Sequence, residues 1–330
     1  MGRLKVAAGL RLSRCLPAWF VVLCACGGTG DPDTAGQPPA QRIVSLAPNL
    51  TELAYSAGAG AKLVGAVEHS NYPAAARALP RVGDAFRFDF ERIAALKPDL
   101  VLAWRTGTPV QAIERLEALG FRTVVIGTSR LEDIAAALRQ IGALAGTEAA
   151  AEPAAADFER ALAALVERNA NAREVTVFYQ ISLEPLFTVN DQHLISELLR
   201  ACGGRNVFGA VSELAPVVGI EAVLARDPEV IIAPREGGAE ELAFWRRWPD
   251  LAAVRLGNLF AVDADLVARA TARSLEGAEE ICRALDEARR RKPAHGSPPV
   301  GLSTAARLLT DGRVSRALPG PARGARARGR

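Results

Sequence analysis

A small set of aromatic and charged side chains is placed where it could bind a large ligand. The aromatic residues, near the ends of predicted strands or in loops, are Tyr72, Phe86, Trp104 and Phe187. Asp265 and Arg269 follow, four residues apart. A bulky metal chelate needs such broad apolar surfaces together with a few polar groups that fix its orientation. The alternatives are a core position for Trp104 and a local ion pair of little energetic weight for Asp265 and Arg269.

Binding of a bare metal ion and catalysis both lack the residues they require. A transition metal needs clustered His, Cys or carboxylate ligands, yet residues 27–290 contain no methionine and only two histidines, His69 and His193. His69 is either an axial contact to a bound metal or an exposed loop histidine. The nucleophile elbow, the phosphate loop and the His-Glu-x-x-His motif are absent from the sequence. We therefore expect a binding protein, with no metal site, and no enzyme.

The N-terminal segment has the layout of a bacterial export signal. Residues 1–26 combine four basic residues with an apolar stretch over 16–25 that is too short for a membrane span of about 20 residues. The sequence before Cys26 resembles a lipobox, which predicts a lipoprotein signal peptide over 1–26 and lipidation at Cys26. Residues 27–41 then form a flexible tether. An ordinary signal peptide cut nearby is the alternative.

The C-terminal segment, 291–330, carries nine Lys or Arg residues against one acid, interleaved with Pro and Gly. This composition predicts a disordered basic tail. It lacks the aromatic residues that stack on bases, so no nucleic-acid partner is expected. Because both ends are basic and the whole chain is only +3, the body between them is acidic.

Between these ends, short β-rich runs alternate with helical patterns. The predicted strands are 42–46, 63–67, 100–103, 123–126, 175–179, 186–189, 230–233 and 259–262. Strands flanked by helices indicate α/β lobes with mostly parallel sheets. Strong helix formers at helical spacing over 148–170 predict one long helix between the lobes, or else a surface helix within a single domain. The expected parts are an N-terminal lobe (42–147), a connecting helix (148–171) and a C-terminal lobe (172–290).

One local pattern occurs twice, over 90–101 and 220–231: a short helix, a proline and a buried strand. Proline ends each helix. Glu91 and Glu221 fall at equivalent exposed positions near the helix starts, where a carboxylate interacts favourably with the helix dipole. We therefore expect two pseudo-symmetric lobes.

Several motifs in both lobes, in order over residues 42–290, resemble the cobalamin-binding receptors of ABC importers. They are Ile43–Leu53, which contains Pro48, then Asn71-Tyr72-Pro73, Glu91–Arg105, the turn Cys202-Gly203-Gly204, and Asp265 with Arg269. The resemblance implies a class III solute-binding protein, in which two Rossmann-like α/β lobes are joined by one rigid helix. A corrinoid, cobalamin or a precursor, would lie in the cleft as the transported ligand rather than as a cofactor.

The resemblance also implies roles for individual residues. Its ligand contacts would be Pro48, Tyr72, Phe86, Trp104, Phe187, Asp265 and Arg269, the last two facing corrinoid amides. Glu91 and Glu221 would meet the permease, whose ATPase drives import, although solvated acids are the alternative. An even cysteine pair in an exported chain indicates one disulfide or two buried thiols, and the resemblance implies that Cys202 pairs with Cys282. The implied protein is a monomer in the periplasm, held at the membrane by its lipid.

The sequence departs from this family at two positions. Where the receptors have large aromatic walls, this chain has Ala85 and Ala215, and each lost indole removes contact area. Phe86 and Phe88 could replace the first wall, whereas the sequence shows no replacement for the second. The ligand is therefore a corrinoid or, as the alternative, haem or a ferric siderophore. A third interpretation is an inert structural lipoprotein.

Overall fold

The computed structural model describes residues 37–236 and 238–291. The expected signal peptide, Cys26 with its lipid, most of the tether and the tail beyond Arg291 lie outside the described residues. Within the described residues, none of the helices has the length and apolar character needed to cross a bilayer.

The described chain alternates strands and helices along its length. In the first half these are β1 (Ile43–Ser45), α1 (Pro48–Ser56), β2 (Leu63–Ala66), α2 (Phe90–Ala95), β3 (Leu100–Trp104), α3 (Val110–Ala118), β4 (Thr123–Ile126) and α4 (Leu131–Ala145). The next helix is α5 (Glu148–Asn169). The second half contains β5 (Val175–Tyr179), α6 (Leu194–Ala201), β6 (Gly204–Asn206), α7 (Ile220–Arg226), β7 (Val230–Pro234), α8 (Gly238–Phe244), α9 (Ala252–Arg255), β8 (Leu259–Val262), α10 (Ala264–Ala268) and α11 (Ser274–Arg290).

Each lobe is built on a four-stranded parallel sheet, with the order β2-β1-β3-β4 in the first and β6-β5-β7-β8 in the second. Strands β3 and β7 lie inside their sheets and are buried except at their last residue. Their apolar runs are typical of parallel strands covered by helices on both faces. The expected fold of two pseudo-symmetric α/β lobes, the class III architecture, is confirmed.

The short helix of the repeated pattern ends in the same way in both lobes. Lys97, just after α2, and Asp227, just after α7, have left-handed backbone conformations with φ of 48° and 42°. A proline follows each of them and cannot continue the helix. The two halves therefore share the strand order and the backbone path that returns each helix to its sheet.

One predicted strand has a different place in the structure. Residues 186–190 do not join the second sheet but pair with 214–218, through bonds such as Thr188 N to Pro216 O at 3.1 Å and Asn190 N to Leu214 O at 3.0 Å. The sheet position is taken by β6, whose sequence Gly-Arg-Asn has no β-branched or aromatic residue. We call the paired segments 186–190 and 214–218 the ribbon.

Helix α5 lies between the sheets in sequence and packs against α1 and α4 of the first lobe and α6 of the second. Its buried residues Ala155, Phe158 and Leu165 belong to a hydrophobic core that contains side chains of both lobes. On the surface, Arg139 of α4 is paired with Glu152 and Glu159 of α5, at 2.8 and 2.6 Å. The lobes thus share an apolar base as well as a helix.

Two further contacts define the body. Cys202, at the end of α6, forms a disulfide with Cys282 in α11, and both residues are buried; the expected pairing is confirmed. Near the tether, Ala40 is buried and its N–H donates to Leu144 O at 2.8 Å, while Gln41 N donates to Asp99. The chain is therefore held to the first lobe from Ala40, slightly before the expected end of the tether.

Candidate functional site

The carboxyl ends of the parallel strands carry the loops that meet between the lobes, which is where open α/β sheets bind ligands. A cavity of about 390 Å³ lies there. The first lobe contributes Trp104, Thr106, Thr128 and Ser129 to its wall, and the second half contributes Gln192, His193, Leu194, Leu214, Ala268 and Ala270. Its size falls within the range of small-molecule pockets, about 300–1,000 Å³.

Trp104, the last residue of β3, was considered either as a ligand contact or as a core residue, and its position fits both. It packs against the core and also lines the cavity. Its indole Nε1 donates to Thr128 Oγ1 at 2.9 Å, and Asn49 Nδ2 donates to the same oxygen at 3.2 Å. A hydroxyl that accepts two bonds still has its own proton to donate, so Thr128 is a polar group in this wall.

Gly107 keeps the indole in place. A β-carbon at this position would lie 2.0 Å from Trp104 Cε3, far closer than atoms can approach. The backbone of the loop after β3 therefore packs directly on the ring, and Thr108 Oγ1 accepts from Trp104 N at 2.9 Å. The loop sets the position of the tryptophan from both sides.

His193 is a cavity residue that the sequence did not identify. It precedes α6, and its Nδ1 accepts from Ile195 N at 3.2 Å. Burial lowers the pKa of His193, so the imidazole is neutral, and because Nδ1 accepts, the proton is on Nε2. The ring therefore serves as a helix cap and has an N–H donor on its other nitrogen.

Pro48 and Tyr72 lie in two segments of the first lobe that a network of hydroxyl groups connects. Thr51 Oγ1 lies 3.0 Å from Ser45 Oγ and 3.1 Å from Ser70 Oγ, which joins α1 to β1 and to the loop after β2. Pro48 is the half-buried first residue of α1. Tyr72 is exposed, and the guanidinium of Arg273 lies 3.8 Å from its ring centroid.

Asp265 and Arg269 do form the local ion pair, with Arg269 Nη2 at 2.7 Å from Asp265 Oδ1. They also contact the other lobe. Arg269 Nη1 donates to Asn71 Oδ1 at 2.7 Å and to Glu52 Oε1 at 2.9 Å. Glu52 is buried and was not predicted, although an acid within the apolar face of a helix is a signal that could have revealed it.

Phe86 stands on a fixed turn. Asp84 Oδ1 accepts from Phe86 N and from Arg87 N, each at 2.8 Å, and these backbone bonds lower the pKa of Asp84. Glu68 N, just after β2, donates to Gly83 O at the start of the turn. Phe86 is 84% exposed, so a large aromatic side chain stands in solvent beside Ala85.

The ribbon forms the corresponding edge of the second lobe. Phe187 makes backbone bridges to Ser182 and to Val217. Leu214, beside the exposed Ala215, lines the cavity, and Leu214 and Val217 are 47% and 61% exposed. Where sequence inspection found no substitute for the second aromatic wall, the structure therefore has exposed aliphatic side chains.

Of the predicted site residues that the structure describes, Trp104 lines this cavity, whereas its lining does not include Pro48, Tyr72, Phe86, Phe187, Asp265 or Arg269. The remaining predicted residues also lie apart from the lining. His69 is exposed, with φ of 63°. Glu91 and Glu221 are exposed, each the second residue of its helix, in α2 and α7. Within residues 37–236 and 238–291 no group of three or more His, Cys, Asp or Glu residues is arranged to hold a metal ion.

Comparisons with known proteins agree on a class. The sequence profile described as "Periplasmic binding protein" matches residues 43–266. A vitamin B12-binding protein of Vibrio campbellii is 38% identical over 255 residues, covering 77% of this chain and 92% of that one. A second, from Pectobacterium carotovorum, is 36% identical over 273 residues, with coverages of 81% and 94%.

Solved structures agree as well. The periplasmic vitamin B12-binding protein BtuF of Vibrio cholerae has a TM-score of 0.72 at 37% identity, covering 76% of this chain and 99% of that one. A periplasmic haem-binding protein, BhuT, in complex with two haems has a TM-score of 0.69 at 22% identity, with coverages of 76% and 99%, and shares the fold. On this match over most of its length, the chain belongs to the periplasmic binding protein family.

Proposed function

We propose that the protein is a receptor that captures a corrinoid, cobalamin or a precursor, between its lobes and delivers it to an ABC importer. The observation that carries the proposal is a cavity lined by both lobes in a chain 38% identical to a vitamin B12-binding protein. Relatives of this class bind and do not catalyse. The corrinoid is cargo, and no cofactor is part of the proposal.

The ligand would rest on a broad surface around the cavity. Trp104 supplies an aromatic face, and Pro48 and Tyr72 of the first lobe and Phe187 of the ribbon would add further contacts. The exposed Phe86 would cover the part of the ligand outside the cavity. Asp265 and Arg269 would meet its amide side chains, which suit a mixture of donors and acceptors.

Delivery requires a docking surface for the permease and its ATPase. Glu91 and Glu221 are exposed at matching places in the two lobes. One carboxylate on each lobe matches a permease with two related subunits that present arginines, since charged contacts at an interface fix orientation. The receptor would be a monomer in the periplasm, anchored through a lipid on Cys26.

Haem or a ferric siderophore is the second candidate. It is favoured by Ala85 and Ala215, both exposed, because the smaller side chains leave room for a ligand of another shape. Three arginines, Arg87, Arg105 and Arg269, could meet an anionic ligand. The acids Glu68, Asp84 and Asp265 lower the positive potential that these arginines would create.

The test is a titration of the purified protein with cyanocobalamin, cobinamide, haemin and a ferric siderophore, followed by calorimetry and visible absorbance. We expect a dissociation constant below about 1 μM for one of the corrinoids. Absence of corrinoid binding together with a clear haemin or siderophore signal would move the function to iron uptake.

A further inference from the structure

A buried carboxylate of the first lobe is bound by two arginines of the second. Glu52, in α1, has 2% of its side chain exposed. Its Oε1 lies 2.9 Å from Arg269 Nη1 and its Oε2 lies 3.4 Å from Arg273 Nη1. Each carboxylate oxygen thus has its own guanidinium from across the cleft.

The contacts continue through the loop after β2. Asn71 accepts from Arg269 Nη1 at 2.7 Å and donates to Asp265 Oδ2 at 3.2 Å. Arg273 covers the ring of Tyr72, 3.8 Å from its centroid. We call the set of Glu52, Asn71, Tyr72, Asp265, Arg269 and Arg273 the clasp. It joins α1 and the loop after β2 to the segment between α10 and α11.

The charges in the clasp balance, with two carboxylates facing two guanidinium groups. A buried ion pair is not in itself strongly stabilising, but removal of one partner leaves the other charge buried without compensation. Arg269 is only 12% exposed, so it depends on Glu52 for a buried counter-charge. Loss of the Glu52 charge should therefore displace the arginines rather than leave them in place.

The clasp also orients Arg269. A planar guanidinium held on both terminal nitrogens, by Glu52 and Asn71 on one and Asp265 on the other, has its plane fixed. Ala268 and Ala270, on either side of it in the chain, line the cavity. The orientation of this side chain relative to the cavity is thereby set from the opposite lobe.

We propose that Glu52 is a positioning residue of the ligand site, which holds the two lobes together at the cleft and fixes the orientation of Arg269. The lobes share an apolar core at their base, and the clasp is a separate polar connection at the cleft. The statement about Arg269 and ligand rests on the proposed function, whereas the statement about the lobes does not.

The test is hydrogen–deuterium exchange of the ligand-free full chain, wild type against Glu52→Gln, which keeps the shape of the side chain and removes its charge. We expect faster exchange in two segments, 69–73 and 265–273, with no change in β4 or β7. A role confined to packing within α1 would not affect the segment 265–273. Unchanged exchange there would overturn the proposal.

The matched control is Glu152→Gln. It also breaks an ion pair with an arginine, Arg139, but on the exposed surface between α4 and α5, and it should leave both segments unchanged. If Glu52→Gln does not fold, Arg273→Gln tests the other arm of the clasp with the same two segments, and unchanged exchange in that variant contradicts the proposal equally.

Affinity provides the second measurement. Glu52→Gln should weaken cyanocobalamin or cobinamide binding by about tenfold or more, because Arg269 loses the carboxylate that fixes its orientation at the ligand site. If the wild type binds no corrinoid but Glu52→Gln shows faster exchange in 69–73 and 265–273, the proposed function is refuted and the clasp is supported. Normal affinity and unchanged exchange in Glu52→Gln would refute the clasp and leave the proposed function standing.

Discussion

Removal of the Cys202–Cys282 disulfide should lower the free energy of unfolding by several kilocalories per mole. The bond joins residues 80 positions apart, and closure of a loop of that length in the unfolded chain corresponds to about 4.5 kcal/mol in the chain-entropy model. Both cysteines are buried, so the change to alanine also leaves a small packing defect. A typical domain is stable by only about 5–15 kcal/mol.

The assay is urea unfolding at equilibrium of the Cys202→Ala, Cys282→Ala double variant against the oxidised wild type. We expect a midpoint shift to lower urea that corresponds to about 4.5 kcal/mol or slightly more. Wild-type protein that has been reduced and kept reduced is the control, because it loses the crosslink and keeps the sulfur atoms. Its midpoint should fall close to that of the variant.

Two results would refute this reasoning. A loss below about 1 kcal/mol in both samples would mean that the unfolded chain is already compact between the two positions. A large loss in the alanine variant with none in the reduced wild type would assign the effect to packing of the sulfur atoms rather than to the crosslink.

Three further changes test the site. Gly107→Ala should displace Trp104, because the new β-carbon would fall 2.0 Å from the indole ring. We expect weaker corrinoid binding, measured by calorimetry, and a stability loss of about 1–3 kcal/mol, measured by urea unfolding. Unchanged affinity would contradict this prediction. Burial lowers the pKa of His193, so the unfolded state takes up the proton first and stability falls as the pH drops below about 6.5. His193→Asn, which keeps a cap acceptor for Ile195 N, should flatten that dependence in melts recorded between about pH 7.5 and 5, and an equally steep curve would count against it. Ala215→Trp adds an aromatic face at an exposed position of the ribbon. It should tighten cobinamide binding, measured by calorimetry, at little cost in stability. No gain in affinity would mean that the ligand does not reach the ribbon.

The core of the fold is readable from the sequence because its strands are buried on both faces. Runs such as 100–103 and 230–233 have no polar residue, which predicts buried parallel strands directly. The edge strand β6 was missed since its Gly-Arg-Asn sequence carries no such pattern. The segment predicted as a strand at 186–189 does form backbone pairing, but its partner is the segment 214–218, and local sequence does not specify a partner.

The site was less predictable, because it is assembled from distant segments. The spacing of Asp265 and Arg269 offered their local pair as an alternative to a ligand role, whereas the contact of Arg269 with Glu52 joins positions 217 residues apart. Thr128 gave no signal, since its position depends on the partners Asn49 and Trp104. Of the four aromatic residues predicted near strand ends or in loops, Trp104 lies in the cavity wall, whereas Tyr72, Phe86 and Phe187 do not.

The order of the strands has a consequence for how the protein assembles in time. All pairings of the first sheet form within residues 43–126, so a chain delivered N-terminus first completes this lobe while the other is still emerging. The second sheet is complete at Val262, yet α6 gains its neighbour α11 and the bond to Cys282 only when the last helix arrives. The Cys202–Cys282 bond can therefore form only after the last helix has arrived.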